Sequence, residues 1–116
     1  VKHFSLSKRK ILKDSREFDD VFQKGEKISS QHILLLYKVA EETRYGFSVA
    51  RKIKGAVKRN RAKRRLRELL RLNQNKIPAE LNLVLLAKPG IETCKFDKLN
   101  GEWIQLLEQL NKKLVK

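Results

Sequence analysis

Apolar positions along the chain alternate between a helical and a strand period. Between Asp14 and Gly25, the residues Phe18, Val21 and Phe22 recur at i, i+3 and i+4, one face of a short amphipathic helix. Asp14 and Glu17 have the spacing of a capping box, and Gly25 supplies a stop. The next segment, HILLLYKV from His32 to Val39, has the length and β-rich composition of a strand, and a short strand around Lys27–Ser29 precedes it. After a turn at Glu41–Arg44, the stretch YGFSVA alternates large with small residues. Tyr45, Phe47 and Val49 then share one side, and Gly46, Ser48 and Ala50 the other. A long helical pattern runs from about Ala56 to Asn73, broken by Ile77-Pro78. The run LNLVLLA, Leu81 to Ala87, is apolar on both faces and so predicts a central strand. Beyond the Lys88-Pro89-Gly90 turn, Phe96, Leu99, Trp103, Leu106, Leu107, Leu110 and Leu114 trace the stripe of a final helix. Gly101 lies inside that helix at a cost of about 1 kcal/mol relative to Ala.

The order α-β-β-β-α-β-α predicts an α+β fold, a small α/β sandwich whose helices cover a four-stranded sheet. At 116 residues the chain reads as one domain, 1–116, with residues 1–13 a basic N-terminal arm carrying Lys2, Lys8, Arg9 and Lys10. The longest apolar stretches fall far short of a membrane span, and the N-terminus lacks the apolar run of a secretory signal. Cys94 stands alone, so the sequence displays no disulfide framework and no zinc ligand set. A cytoplasmic protein is expected, monomeric because no dimerising segment is evident.

Charge changes the picture most. The chain holds 28 Lys and Arg against 13 Asp and Glu, a net +15. Between Arg51 and Arg71 there are eleven basic residues and one acid, Glu68. At 100° per residue Ala62, Leu66, Leu69 and Leu70 fall in one quadrant and form a buried stripe. Asn60, Arg64, Arg67 and Arg71 collect opposite them with Lys63 alongside, a ladder about 16 Å long. Like charges at i, i+4 repel by a few tenths of a kcal/mol each. The pairs Arg61 with Arg65, Lys63 with Arg67 and Arg67 with Arg71 therefore burden the helix unless a polyanion lies beside it. A solvated helix face mixes signs, and this one does not. Arginine suits bidentate phosphate contacts better than lysine. Asn60 offers a donor and an acceptor to a base edge or a 2′-hydroxyl, or is simply tolerated in the first turns.

Catalytic chemistry is sparse. His3 and His32 adjoin no Cys or carboxylate pattern of a metal site or triad, and there is no Gly-rich phosphate loop. Glu17, Asp19 and Asp20 read as a solvated, dipole-favoured face of the first helix.

The pattern Ala56-Val57-x-Arg59-Asn60-Arg61-x-Lys63-Arg64-x-x-Arg67-Glu68, directly after Ser48-Val49-x-x-Lys52, resembles the signature of the protein subunit of bacterial ribonuclease P. The Phe18-x-x-Val21-Phe22-x-x-Gly25 helix, the basic arm, the Leu-rich strand and the Leu-rich final helix sit where that family has them. The resemblance implies a partner of a catalytic RNA that removes the 5′ leader of precursor tRNA by phosphodiester hydrolysis. It implies that the RNA holds the catalytic Mg2+ and that the protein supplies no catalytic residue and no metal ligand. It implies a left-handed β-α-β crossover around the basic helix, against the general right-handed rule. Carried onto matching positions, Lys52, Arg59, Asn60, Arg61, Lys63, Arg64 and Arg67 become contacts to the catalytic RNA. Phe18, Phe22, Leu34 and Leu36 become the precursor-tRNA leader cleft. Tyr37 follows Leu36 and points to the opposite face, where the family often has an aromatic near Leu36. Core packing of a short amphipathic helix is the alternative for Phe18 and Phe22. A structural, ribosomal-type RNA-binding protein is the rival function, and a duplex-DNA binder a further one.

Overall fold

The structure is a computed structural model that describes residue 12 and residues 15–114. Apart from Leu12, the basic arm lies outside the described residues, as does the Asp14 cap. The elements run α1 (Ser15–Lys24), β1 (Glu26–Ser29), β2 (Ile33–Val39), β3 (Arg44–Val49), α2 (Ala56–Leu72), β4 (Leu81–Ala87) and α3 (Phe96–Leu114), with a short 3-10 turn at Gln74–Lys76. The order is the one the hydrophobic pattern predicts, with boundaries shifted by a residue: β1 starts at Glu26, β2 at Ile33, β3 ends at Val49 and α2 at Leu72. Arg44, expected in the turn, opens β3 because it pairs with Asn82 in the sheet.

The sheet order is β1-β2-β4-β3. β1 with β2 and β2 with β4 are antiparallel, whereas β3 and β4 are parallel. Parallel neighbours need a long crossover, and α2 provides it. This β3-α2-β4 unit is the one for which the family resemblance implies unusual handedness.

Strand alternation divides the core between two faces. Ile33, Leu35, Tyr37, Leu81, Leu83, Leu85, Tyr45 and Val49 face α2 and α3, whose stripes Ala62, Leu66, Leu69, Leu70 and Leu99, Trp103, Leu106, Leu107, Leu110 close the main core. Leu36 and Val84 face the other way and pack with Val21 of α1 and with Leu12. The layers are therefore α1, sheet, and α2 with α3. α2 rests on β3 and β4, α1 on β2 and β4, and α3 on β1 and β2.

Two termini show how the chain is turned. At Gly25 an added Cβ would lie 2.4 Å from the Val21 carbonyl oxygen and 2.7 Å from that of Tyr37, so only glycine lets α1 end against β2. At the end of α2, buried Asn73 donates from Nδ2 to the Leu69 carbonyl at 2.8 Å and to Asn100 Oδ1 at 3.0 Å, which fastens α2 to α3. Ion pairs fix α1 laterally. Asp20 pairs with Lys38 of β2 and with Lys24, and Glu17 lies 3.8 Å from Arg44 of β3. Two of the three acids on this helix thus serve cross-element pairs, more than the solvated role expected of them.

Candidate RNA-binding surface and apolar cleft

α2 is held by its apolar underside, and that rigidity aims its outer face. Ala62, Leu66, Leu69 and Leu70 are buried, while Asn60, Lys63, Arg64 and Arg67 are exposed. Those four line a shallow depression of about 350 Å³. Neither Lys63 nor Arg64 meets an acid among the described residues, and the Arg67 guanidinium lies over the Phe47 ring, 5.6 Å from its centroid. That stacking orients the charge and leaves its hydrogen-bond donors free. The helix starts at Gly55 with no side-chain cap and no acid in its first turn. Its positive dipole end therefore adds to the basic side chains instead of being offset. Lys52 in the preceding loop and Arg61 on the flank are also exposed.

The other basic residues of the segment are engaged internally. Arg59 donates from Nη1 to the carbonyls of Ala50 and Ile53, each at 3.0 Å, and from Nη2 to that of Val49 at 3.3 Å. It clamps the end of β3 and the loop to the first turn of α2. Arg65 donates to the Cys94 carbonyl at 2.6 Å. Arg71, the last rung of the expected ladder, makes a two-point pair with Glu68 at 2.9 and 2.6 Å. The guanidinium holds the Glu68 carboxyl below its usual range. The predicted set is thus brought together in part: Asn60, Lys63, Arg64 and Arg67 form one surface, Arg61 and Lys52 flank it, and Arg59 is turned toward the backbone beneath.

Across the sheet, register decides what the α1 face presents. Lys27, Leu36, Val84 and Gly46 form one row across the four strands, and Ser29, Leu34, Leu86 and Ser48 form the next. Leu36 and Val84 are fully buried. Phe18, Phe22, Leu34 and Leu86 are half-buried around them. Leu36 is therefore the floor beneath the helix, whereas Phe18, Phe22 and Leu34 form a partly exposed apolar patch around it. Leu86 is the residue that sequence reasoning missed. It reads as the interior of a central strand, and only its pairing opposite Leu34 puts it in this apolar patch. Gly46 allows the close approach: a Cβ there would meet Phe18 Cζ at 2.6 Å and Cε1 at 2.8 Å. As expected, Tyr37 points to the main core, opposite Leu36.

The Ribonuclease P family profile matches residues 6–111. The chain belongs to the ribonuclease P protein family. It is 34% identical over 101 residues to the ribonuclease P protein component of Pelotomaculum thermopropionicum, covering 85% of this chain and 90% of that one. It is also 34% identical over 115 residues to that of Geotalea uraniireducens, covering 97% and 100%. Among solved structures, the ribonuclease P protein of Thermotoga maritima superposes with a TM-score of 0.76 at 25% identity, covering 84% of this chain and 94% of that one. A Staphylococcus aureus ribonuclease P protein mutant with defective mRNA degradation activity superposes with a TM-score of 0.79 at 20% identity, covering 90% of each, and carries the likeness of fold. Membership in the ribonuclease P family places the chain in tRNA processing, as the protein component that works with the ribonuclease P RNA.

The family also implies Mg2+, for which the described residues bring together no group of three carboxylates. Glu17, Asp20 and Glu68 are occupied by Arg44, Lys38 and Arg71. Among the described residues, the one group of three potential ligands is His32, Cys94 and Glu102, a nitrogen and sulfur set foreign to a hard, octahedral, oxygen-seeking ion. No helix among the described residues is long and apolar enough to cross a membrane.

Proposed function

We propose that this protein is the RNA-binding cofactor of the ribonuclease P ribozyme, with the phosphodiester chemistry and its Mg2+ residing in the RNA. The exposed face of α2 docks the catalytic RNA through Asn60, Lys63, Arg64 and Arg67, with Arg61 and Lys52 at its margins. Arg59 holds the loop that carries Lys52 against the first turn of α2. The cleft of Phe18, Phe22, Leu34 and Leu86 receives the single-stranded 5′ leader of precursor tRNA. Bases stack on its half-buried rings, a sequence-tolerant mode of binding. The observation that carries this reading is the grouping of Lys63, Arg64 and Arg67 on one rigid ledge without an acid to neutralise them. A structured polyanion is the counter-charge that relieves them.

The deciding experiment is reconstitution with a bacterial ribonuclease P RNA. Adding the protein should lower the magnesium concentration needed to cleave precursor tRNA, and the complex should prefer precursor to mature tRNA. No gain at low magnesium with a competent RNA overturns the proposal. Tight binding of ribosomal RNA without leader preference would instead favour a structural ribosomal role.

A further inference from the structure

His32, Cys94 and Glu102 are far apart in sequence, yet a ligand atom from each lies within 4.8 Å of the other two. His32 immediately precedes β2, Cys94 lies in the turn before α3, and Glu102 sits in the second turn of α3. The cluster is built from fixed parts. Glu102 Oε1 accepts from the Ser30 hydroxyl at 2.8 Å and from the His32 backbone N–H at 3.0 Å, and its Oε2 is 2.6 Å from His32 Nδ1. The Cys94 N–H donates to the Gly90 carbonyl at 3.1 Å, and its own carbonyl accepts from Arg65. The imidazole is buried at 8% exposure, and Cys94 is half-buried. The thiol itself makes only a long contact of 3.5 Å, to the Lys95 carbonyl. A backbone tethered on both sides therefore carries a thiol with no strong partner, facing a histidine already oriented by a carboxylate.

Imidazole, thiolate and carboxylate together form a donor set for a borderline-soft divalent ion. We propose that His32, Cys94 and Glu102 bind one Zn2+ per chain, leaving its fourth position to water. In a tetrahedral site with metal–nitrogen and metal–oxygen bonds near 2.0–2.1 Å, the two ligand atoms stand about 3.3 Å apart. Nδ1 and Oε2, now 2.6 Å apart around a shared proton, need to open by less than 1 Å as the ion takes that proton's place. Cys94 Sγ already lies within 4.8 Å of both. On binding, the thiol loses its proton to solvent, and the neutral imidazole moves its own proton from Nδ1 to Nε2 so that Nδ1 can ligate. Thiolate and carboxylate then match the two charges of the ion. The ion would join the start of β2, the turn before α3 and α3 itself. Through the Arg65–Cys94 bond it also reaches the RNA-facing helix.

The test uses the reduced full-length protein stripped of metal and titrated with Co2+ as a spectroscopic probe, followed by displacement with Zn2+. One equivalent of Co2+ should give a thiolate-to-cobalt charge-transfer band together with tetrahedral d–d bands, and Zn2+ should abolish both. Cys94→Ser should remove the charge-transfer band, and Glu102→Gln should weaken binding at least about 10-fold. His32→Gln should abolish one-to-one binding. If that variant does not fold, Cys94→Ser serves in its place, because the half-buried thiol can be replaced without exposing the core. Zn2+ should raise the Tm of the wild-type protein and leave that of Cys94→Ser unchanged. The proposal is overturned if no charge-transfer band forms, if the band survives Cys94→Ser, or if His3→Gln removes the signal instead.

Discussion

Replacing Lys63, Arg64 and Arg67 together by Ala tests whether the exposed face of α2 is the electrostatic footprint. If about six phosphates are neutralised in the wild-type complex, log K for the ribonuclease P RNA should fall with log salt at a slope of roughly −4 to −5. Each phosphate contact contributes about 0.7–0.9 to that slope, so over a fourfold rise in salt each is worth about threefold in affinity. The triple variant should therefore show a slope of about −2 to −3, and the wild-type advantage should shrink as salt is raised. The structure supplies the control. Glu68 and Arg71 neutralise each other across 2.6 Å, so the Glu68→Ala/Arg71→Ala double variant removes no net charge and should leave the slope unchanged. Fluorescence anisotropy with labelled RNA across a salt series measures both variants. If the double variant flattens the slope as much as the triple variant does, local pairing does not decide which arginines meet the RNA, and the reasoning fails.

Arg59→Ala removes three hydrogen bonds to backbone carbonyls and should cost about 1.5–3 kcal/mol of stability, read by thermal or urea unfolding. A fall in RNA affinity with no loss of stability would show that Arg59 acts at the interface. Gly46→Ala drives a methyl into the Phe18 ring and should cost about 1–3 kcal/mol. Like Phe18→Ala and Phe22→Ala, it should weaken precursor-tRNA affinity while leaving the salt slope for the catalytic RNA intact. Equal losses in both assays with a lowered Tm would reduce Phe18 and Phe22 to core packing. Burial pushes the Glu102 carboxyl up, but hydrogen bonds from the His32 ring, the His32 amide and Ser30 outweigh it and hold the group below its ordinary value of 4.5. A depressed carboxyl contributes stability above its unfolded pKa and loses it as pH falls through the folded one. Wild-type Tm should therefore drop below about pH 4.5 more steeply than that of Glu102→Gln; parallel curves would refute this linkage.

Local periodicity made most of the fold legible. The limits of β4 and α3 coincide with their apolar runs, and α2 ends one residue before the Asn73 expected to close it. Side-chain spacing also separates Leu36 from Tyr37, because in a strand successive residues must face opposite ways. The composition of the charged helix and its leucine underside were readable for the same reason: both depend on neighbours three and four residues away.

What sequence alone determined, then, is the number, type and order of the elements, the face each buries, and the presence of one strongly basic helix. Tertiary structure decided the rest. The insertion of β4 between β2 and β3 put Leu86 beside Leu34 and buried Leu36 beneath α1. The ends of β3 and the turn before α3 supplied the carbonyls that bind Arg59 and Arg65, so arginines alike in sequence differ in what they can offer an RNA. His32 and Glu102 meet across seventy residues. Periodicity records only contacts within a few residues along one element, whereas these depend on where separate elements dock, which the packing of the whole core sets.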